Sequence, residues 1–246
     1  MSDRLVIIPT YNEKENITAI VRKVFSLPLE FHVLVVDDQS PDGTANLVKM
    51  LMPEYPGKLF LEERKGGKQG LGTAYLHGFR WALQRSYQYI FEMDADFSHN
   101  PDDLIRLFNA CANDNVDVVV GSRYARGGKI VNWPLSRILL SYFASLYVRM
   151  ITFLPCKDTT AGFVVYRRKV LETIDLDKIR FVGYAFQIEM KFTAWKYGFR
   201  IAEIPITFVD RKLGVSKMSL AITEEAIKGV LLLKIDSICR KYKRKQ

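Results

Sequence analysis

The chain has 246 residues, of which 48% are hydrophobic and 26% are charged, with a net charge of +9 and a pI near 9.4. These values are typical of one folded domain with a sizeable core, and they predict an acidic partner, with nucleic acid, anionic membrane and phosphate-bearing substrates all open. Its three cysteines are widely spaced, which excludes a disulfide framework or a cysteine metal cluster and fits a reducing compartment.

The first 120 residues alternate short apolar runs with segments that repeat apolar residues at helical spacing. Strand, helix, strand with short connections indicates a mostly parallel sheet covered by helices on both faces. The first helix is expected to start after Thr10 or Asn12, with Glu13 and Glu15 in its first turn. Strands are predicted over 5–8, 33–36, 59–61, 89–93 and 116–120, and further helices over 44–52, 73–86 and 101–113.

Two of the predicted strands end in pairs of carboxylates. Asp37 and Asp38 follow the second strand, and Asp94 and Asp96 follow the strand at 89–93. Ligands of parallel sheets bind at the carboxyl ends of the strands, so both pairs are expected along one edge. A single Asp-x-Asp is often only a solvated strand end. Two acidic strand ends on one edge favour a site for a hard cation such as Mg²⁺ or Mn²⁺.

The segment 133–154 has an unusual helical pattern. Arg137, Ser141, Ser145 and Arg149 recur every four residues, and nearly all other positions are apolar. Two interpretations stay open: a helix buried on most sides, or a helix lying at a membrane interface. Arg149 interrupts the apolar run, and an arginine at mid-membrane costs about 2.5–3.5 kcal/mol, so no transmembrane helix is predicted.

The rest of the chain predicts a basic loop at 121–128, a polar turn at 158–163, a helix over 184–197, a strand over 201–208 and a second basic loop at 209–217. The final segment ends in a basic tail, which favours anionic lipid by about 1 kcal/mol per charge. A solvated terminal tail is an equally good interpretation. No signal peptide is predicted, because the first residues lead straight into a strand. One apolar stripe of the final segment holds Ile227, Leu231, Ile235, Ile238 and Tyr242.

Several motifs of other enzyme classes are absent. Lys68 is followed by Gln69, so the glycines before it do not form a P-loop. Tyr75 stands where a dinucleotide-binding fingerprint needs its third glycine. The histidines are scattered, and no G-x-S-x-G occurs. Kinases, dehydrogenases, zinc hydrolases and serine hydrolases are therefore not leading candidates.

Six sequence blocks carry a resemblance to one enzyme family. They are IPTYNEKENI (8–17), VVDDQSPDGT (35–44), GLGTAYLHG (70–78), MDADFSHNP (93–101), GSRY (121–124) and FVDRKLGVSK (208–217). In this order they resemble GT-A fold family-2 glycosyltransferases, and among these the short dolichyl-phosphate or polyprenyl-phosphate mannose synthases. The resemblance implies a Rossmann-like catalytic domain over 1–218, with 133–154 as a candidate interfacial helix. It also implies a C-terminal amphipathic helix and basic tail over 219–246.

The resemblance also implies roles for particular residues. The nucleotide pocket is matched by Pro9, Tyr11, Glu13, Val36 and Asp38. The diphosphate and metal site is matched by Asp94, Ala95 and Asp96, with Asp94 and Asp96 as ligands of Mg²⁺ or Mn²⁺. The positions that hold donor and acceptor phosphates are matched by Arg123, Arg211 and Lys217, and arginine suits this role through bidentate contacts. Asp96 and Arg123 are the expected catalytic residues.

The implied reaction transfers mannose from GDP-mannose to a polyprenyl or dolichyl monophosphate, with inversion at the anomeric carbon and with a divalent cation. The acceptor phosphate is ionised near neutral pH, so no general base is assigned. The expected location is the cytoplasmic face of a membrane, reached through amphipathic helices or a small membrane-anchoring subunit.

Two other hypotheses stay open beside this reaction. One is a glucosyl or other sugar transfer to the same class of lipid from a different nucleotide sugar. The other is a non-catalytic basic protein on nucleic acid or anionic membrane. The acidic strand ends argue against that last class, so no nucleic-acid partner is expected.

Overall fold

One sheet of seven strands, in the spatial order β3-β2-β1-β4-β7-β5-β8, forms the centre of the fold. The computed structural model describes residues 2–112, 116–183, 185–211, 220–239 and 242. Neighbouring strands run parallel except at β7, which is antiparallel to β4 and β5. The predicted mostly parallel sheet is therefore confirmed. The strands are β1 (Arg4–Thr10), β2 (His32–Asp37), β3 (Leu59–Glu63), β4 (Tyr89–Glu92), β5 (Val118–Ser122), β7 (Val164–Arg167) and β8 (Ile201–Pro205).

Helices cover both faces of this sheet because its strands are apolar on both sides. In β1, Leu5 and Ile7 belong to one hydrophobic cluster, whereas Val6 and Ile8 belong to the other. The first cluster includes side chains of α3, α6 and α7, and the second those of α1, α2 and α4. The helices are α1 (Ile17–Phe25), α2 (Thr44–Leu51), α3 (Leu71–Leu83), α4 (Asp103–Ala112), α5 (Leu135–Thr152), α6 (Arg168–Thr173), α7 (Ala185–Lys196) and α8 (Leu220–Cys239).

The register of the central strands brings both acidic strand ends to one edge. Thr10 of β1 pairs with Asp37 of β2, and Ile7 pairs with Glu92 of β4. All three strands run in the same direction, so the residues that follow them leave the sheet on the same side. This is the edge at which ligands of open parallel sheets bind.

The first predicted helix boundary is wrong. Helix α1 starts at Ile17, so Glu13 and Glu15 lie before its first turn. Residues 13–16 instead form a turn that is tied to the start of α2, because the Glu13 N–H donates to Thr44 Oγ1 over 3.0 Å. A contact between distant parts of the chain therefore displaces the start of the helix.

The predicted strand over 201–208 is also wrong in its extent. It is two strands, β8 and β9 (Thr207–Val209), which lie in different sheets. Between them Ile206 donates to the Ser122 carbonyl and accepts from the Lys129 N–H, so the chain passes from the main sheet to the short strand β6 (Lys129–Val131). This small β6–β9 sheet places the following residues, Asp210 and Arg211, beside the carboxyl edge of the main sheet.

Helices α5 and α8 pack on α7, outside the main sheet. Val148 of α5 and Val230 and Leu233 of α8 are buried together with α7 side chains. Most other apolar side chains of α5 face outward, so the interpretation of a helix buried on most sides is wrong. Within the part of the chain that the structure describes, no helix is long and apolar enough to cross a membrane. The outward-facing large side chains of α5 are Leu135, Leu139, Leu140, Tyr142, Phe143 and Met150, and those of α8 with described positions are Leu231, Leu232, Ile235 and Ile238.

Candidate active site

The turn after β4 presents two carboxylates at the carboxyl edge of the sheet. The Asp94 side chain is 36% exposed and the Asp96 side chain is 5% exposed. The turn is tight, because Phe97 adopts a φ of 60° and the Ser98 N–H donates to Asp96 Oδ1 over 3.0 Å. Ala95 between them is buried in the core. Both carboxylates therefore reach the same cavity despite their alternate positions in the chain.

Asp96 carries a negative charge that is paired within the protein. Burial raises the pKa of Asp96, but hydrogen bonds from Ser98 and the positive charge of Arg211 outweigh this effect, and the pKa lies below its ordinary value. The guanidinium of Arg211 lies 3.0 Å from Asp96 Oδ2. The structure thus brings together two residues predicted from the sequence for the phosphate and metal site.

His99 is buried beside this turn and lines the same cavity. Its Nδ1 accepts a hydrogen bond from the Asp94 N–H over 3.2 Å, and its ring stacks on Phe163 with 4.8 Å between ring centres. Burial lowers the pKa of His99 to about 4, so the ring is neutral at physiological pH and Nδ1 is able to accept. The sequence showed this histidine only as one of three scattered ones.

Arg123 is held by a carboxylate 35 residues further along the chain. Asp158 Oδ2 accepts from Arg123 Nε over 2.7 Å, Asp158 Oδ1 accepts from Nη2 over 2.7 Å, and Thr160 Oγ1 accepts from the same Nη2 over 2.8 Å. The two charged side chains are 8% and 0% exposed. Burial raises the pKa of Asp158, but Arg123 outweighs this effect and holds it below the ordinary value. The guanidinium is therefore fixed in one orientation beside the cavity.

A cavity of about 190 Å³ joins these groups to α5. Its polar end holds both carboxylates and the two arginines, and its other end is formed by one face of α5 and by Phe208 of β9. Arg137 lies between the two ends, where it donates to Asp210 Oδ1 over 3.1 Å and stacks on Trp133. The α5 residues that line the cavity are Arg137, Leu140, Ser141 and Ala144.

A larger open groove of about 1130 Å³ lies among α3, α6 and α8. It contains none of the residues predicted for the site, and charged residues that line it pair with one another, as Arg80 with Asp177 and Arg180 with Asp236. We assign the chemistry to the smaller cavity, because oppositely charged groups from several strand ends converge there.

The residues expected in the nucleotide pocket lie at the carboxyl ends of β1 and β2 or directly after them, at the same edge. Tyr11 is half-buried, with the Lys68 ammonium 5.9 Å from its ring centre, and Glu13 is buried. Pro9 is half-buried, and the Val36 side chain lies in the core, which leaves only the Val36 backbone for such a role. None of these four described residues lines the cavity that contains Asp94 and Asp96.

Asp38 has a contact that the sequence did not predict. Its Oδ1 accepts from Arg64 Nε over 2.7 Å, and its Oδ2 accepts from the Gln69 N–H over 3.0 Å. Asp38 therefore fastens the glycine-rich loop 64–70 to the end of β2. Its expected part in nucleotide binding stays a prediction. The expected phosphate-holding role of Lys217 also stays a prediction, because Lys217 lies outside the described residues.

Asp94 and Asp96 fit a hard divalent cation. In the part of the chain described here, no group of three or more His, Cys, Asp or Glu side chains is placed to hold a metal. Glu92 is close in sequence, but burial raises its pKa to about 8, so it is mostly uncharged at neutral pH. Two carboxylates leave coordination positions for phosphate oxygens and water, which is the usual arrangement for Mg²⁺ with a nucleotide substrate.

Asp158, Thr160 and Arg137 belong to the site but could not be identified as site residues from the sequence. Asp158 and Thr160 stand in the polar turn predicted at 158–163, and Arg137 in the four-residue series of the segment 133–154. Polar residues between apolar runs were the available signal. It does not identify their partners, because Asp158 and Arg123 meet only when β5 and the turn before β7 are side by side.

The chain matches one protein family and is similar in sequence to several named proteins, among them the following two. Residues 5–175 match the family described as Glycosyl transferase family 2. The chain is 48% identical to the polyprenol monophosphomannose synthase of Mycolicibacterium smegmatis over 91% of this chain and 83% of that protein. It is 47% identical to the undecaprenyl-phosphate mannosyltransferase of Micrococcus luteus over 92% of this chain and 91% of that protein.

Solved structures with a similar fold are GT-A glycosyltransferases. The glucosyl-3-phosphoglycerate synthase of Mycobacterium tuberculosis, in complex with Mn²⁺, UDP-glucose and phosphoglyceric acid, has a TM-score of 0.65 at 14% identity over 96% of this chain and 80% of that one. A mannosyltransferase of Pyrobaculum calidifontis, in complex with GDP-Man and Mn²⁺, has a TM-score of 0.61 at 19% identity over 99% of this chain and 66% of that one. At these identities the likeness shows the fold alone, and it confirms the predicted GT-A architecture.

Proposed function

The chain belongs to glycosyl transferase family 2, and from this membership we propose that it transfers mannose from GDP-mannose to a polyprenyl monophosphate, such as dolichyl or undecaprenyl phosphate, at a membrane surface. The two relatives are named for polyprenol or undecaprenyl-phosphate mannose transfer, and they align with nine-tenths of the chain. The observation that carries the proposal is the cavity that leads from Asp94 and Asp96 to the apolar helix α5.

The donor is proposed to lie across the ends of β1, β2 and β4. Tyr11, which directly follows β1, would stack on the base, and Asp94 and Asp96 would face the diphosphate. A divalent cation held by these two carboxylates would neutralise the charge that develops on the leaving GDP. Mg²⁺ and Mn²⁺ both suit such oxygen ligands.

The acceptor phosphate is proposed to bind between the carboxylates and α5. Arg123 and Arg211 line this part of the cavity, together with Arg137 and Ser141 of α5. A phosphate oxygen would attack the anomeric carbon as the bond to the GDP phosphate breaks, which inverts the configuration. The protein contributes position and positive charge at the reacting groups.

No protein base is needed for this reaction, and the cavity is consistent with that. Its acidic lining residues are Asp94, Asp96 and Asp210. Asp96 is paired with Arg211, and Asp210 is paired with Arg137. A phosphate monoester is already ionised near neutral pH, so it attacks without losing a proton to the enzyme.

The outward-facing apolar side chains of α5 are proposed to rest on the membrane that holds the lipid acceptor. Leu135, Leu139, Phe143 and Met150 form a stripe at helical spacing, which we call the α5 stripe, and all four are exposed. The cytoplasmic face is the proposed side, because Cys111 and Cys156 are buried free thiols that fit a reducing compartment. A small membrane-anchoring subunit is a further proposed partner.

The proposed reaction is tested by transfer of radiolabelled mannose from GDP-mannose to a short polyprenyl phosphate in detergent, with and without EDTA. We expect labelled lipid that requires a divalent cation. UDP-glucose and other UDP-sugars serve as competing donors in the same assay. Labelled lipid that forms from a radiolabelled UDP-sugar but not from GDP-mannose would show that the donor is the UDP-sugar. Absence of labelled lipid with every nucleotide sugar would contradict the transferase proposal.

The proposed membrane contact predicts a loss of vesicle binding when the α5 stripe is made polar. In Leu139→Ser/Phe143→Ser, each partly exposed side chain gives up about 1 kcal/mol of burial in lipid, and binding to anionic vesicles should fall about 30-fold. Sedimentation with vesicles measures this. Met50→Ser on α2, which is also strongly exposed, is the matched control and should bind like wild type. Equal binding by the stripe variant and wild type would show that α5 does not contact the membrane.

A further inference from the structure

Helix α7 is buried around its whole circumference, yet it carries groups that rarely lie in a protein core. Gln187, Glu189 and Lys191 are 1%, 3% and 0% exposed. Burying a lysine is costly unless its ammonium is fully hydrogen-bonded. The contacts of Lys191 therefore show which part of the structure the buried ammonium stabilises.

The Lys191 ammonium donates to backbone carbonyls on the side of the active site. Its Nζ lies 2.7 Å from the Ala161 oxygen, 3.2 Å from the Thr159 oxygen and 3.0 Å from the Gln187 oxygen. Gln187 Oε1 is a fourth acceptor at 3.4 Å, so each of the three N–H donors of the ammonium has a partner. Burial lowers the pKa of Lys191, and the nearby acidic groups of Cys156, Glu92 and Asp158 oppose this effect.

Two of these carbonyls belong to the segment that forms one wall of the cavity. Thr160, Ala161 and Gly162 line the cavity directly, opposite α5. The same segment begins with Asp158, whose carboxylate holds Arg123, and Thr160 adds a second bond to that guanidinium. We call residues 158–162 the Arg123-holding segment.

This segment is fixed from two sides. At its start, the Glu203 carboxylate accepts from the N–H groups of Lys157 and Asp158 over 2.7 and 2.9 Å. In the middle of the segment, the Lys191 ammonium donates hydrogen bonds to the carbonyls of Thr159 and Ala161. Lys191 does not line the cavity, so its effect on bound phosphate would pass through the segment.

We propose that Lys191 is a positioning residue for phosphate binding: it fixes the Arg123-holding segment and thereby sets the orientation of the Arg123 guanidinium in the cavity. This inference rests on the proposed function for the identity of the phosphate, and it adds a residue that makes no contact with substrate. Without the ammonium, the buried carbonyls of Thr159 and Ala161 lose this donor and the segment shifts. A displacement of about 1 Å at a positioning group costs about 100-fold in rate.

The test is a double-mutant cycle between Lys191→Met and Arg123→Lys, with kcat/KM for the polyprenyl phosphate as the readout. We expect Lys191→Met to lower kcat/KM about 100-fold in the wild-type background. In the Arg123→Lys background the loss should be less than about 3-fold, because the bidentate contact of the Arg123 guanidinium with Asp158 is already absent. Lys196→Met is the matched control on the same helix, because its ammonium is partly exposed and lies over the Tyr242 ring. Equal losses in both backgrounds would overturn the proposal.

A second measurement does not depend on the activity. In substrate-free protein the Arg123 Nε–H, which donates to Asp158, gives an NMR signal that is assigned by its loss in Arg123→Lys. This signal should move in Lys191→Met and stay in place in Lys196→Met. Should Lys191→Met fail to fold, Lys191→Arg, which keeps the buried charge but changes the donor geometry, is measured instead and should also move the signal. An unmoved signal overturns the positioning role, whereas absence of transfer by wild type bears only on the proposed function.

Discussion

Replacing Asp96 with asparagine is expected to abolish most mannose transfer while leaving the protein folded. The amide keeps the oxygen that accepts from the Ser98 N–H, but it removes the charge that would hold a divalent cation. Since such a cation contributes several kcal/mol at a leaving diphosphate, we expect kcat/KM to fall by about 1,000-fold. The ion pair between Arg211 and Asp96 is lost in this variant, but Arg211 is partly exposed, so the cost in stability should be small.

The matched control for this variant is Asp102→Asn. Asp102 lies six residues later, and its side chain is 54% exposed in an ion pair with Lys23. Its loss should leave transfer within about 2-fold of wild type, because exposed pairs contribute little. Radiolabel transfer at saturating Mg²⁺ and then at saturating Mn²⁺ measures both variants. Substantial transfer by Asp96→Asn, unchanged by EDTA, would contradict a cation site at these carboxylates.

Replacing Arg123 with methionine is expected to reduce both stability and transfer. The change leaves the Asp158 carboxylate, which is fully buried, without its counter-charge. Removal of one partner of a buried pair typically costs about 3–5 kcal/mol. Urea unfolding should show this loss, and transfer should fall by at least about 100-fold because an oriented cation at the phosphates is gone.

A second substitution separates the two effects of the Arg123 change. In Arg123→Met/Asp158→Asn the stranded charge is neutralised, so stability should recover in part while transfer stays low. Arg126→Met, an exposed position in the same loop, is the matched control and should change neither quantity. Recovery of transfer together with stability in the double variant would show that Arg123 serves folding and not phosphate binding.

The local pattern of apolar residues predicts most strands of the sheet. The apolar runs at 33–36 and 89–93 mark buried strands without reference to any distant residue, because a strand covered on both faces must be apolar at successive positions. A helix between successive strands makes such strands parallel, and parallel strands end at one edge. The placement of Asp94 and Asp96 at that edge could thus be predicted from chain order alone.

Local pattern failed where distant segments compete for the same residues. Glu13 is a residue type that suits the first turn of a helix, but its N–H donates a hydrogen bond to Thr44 and α1 begins later. The run 201–208 has the composition of one strand, but Ile206 bonds to Ser122 and Lys129 and divides it between two sheets. In both cases a hydrogen bond across the fold outweighs a weak local preference.

By itself the sequence determined the strand order in the chain, the acidic strand ends and the family resemblance, since periodicity and motif spacing are properties of neighbouring residues. Only the tertiary structure decided which charges meet: Arg123 with Asp158, Arg211 with Asp96, and Lys191 with the carbonyls of Thr159 and Ala161. Each of these pairs is buried or partly buried, where an unpaired charge is costly, so the fold must bring partners together from distant positions. No local pattern records that pairing.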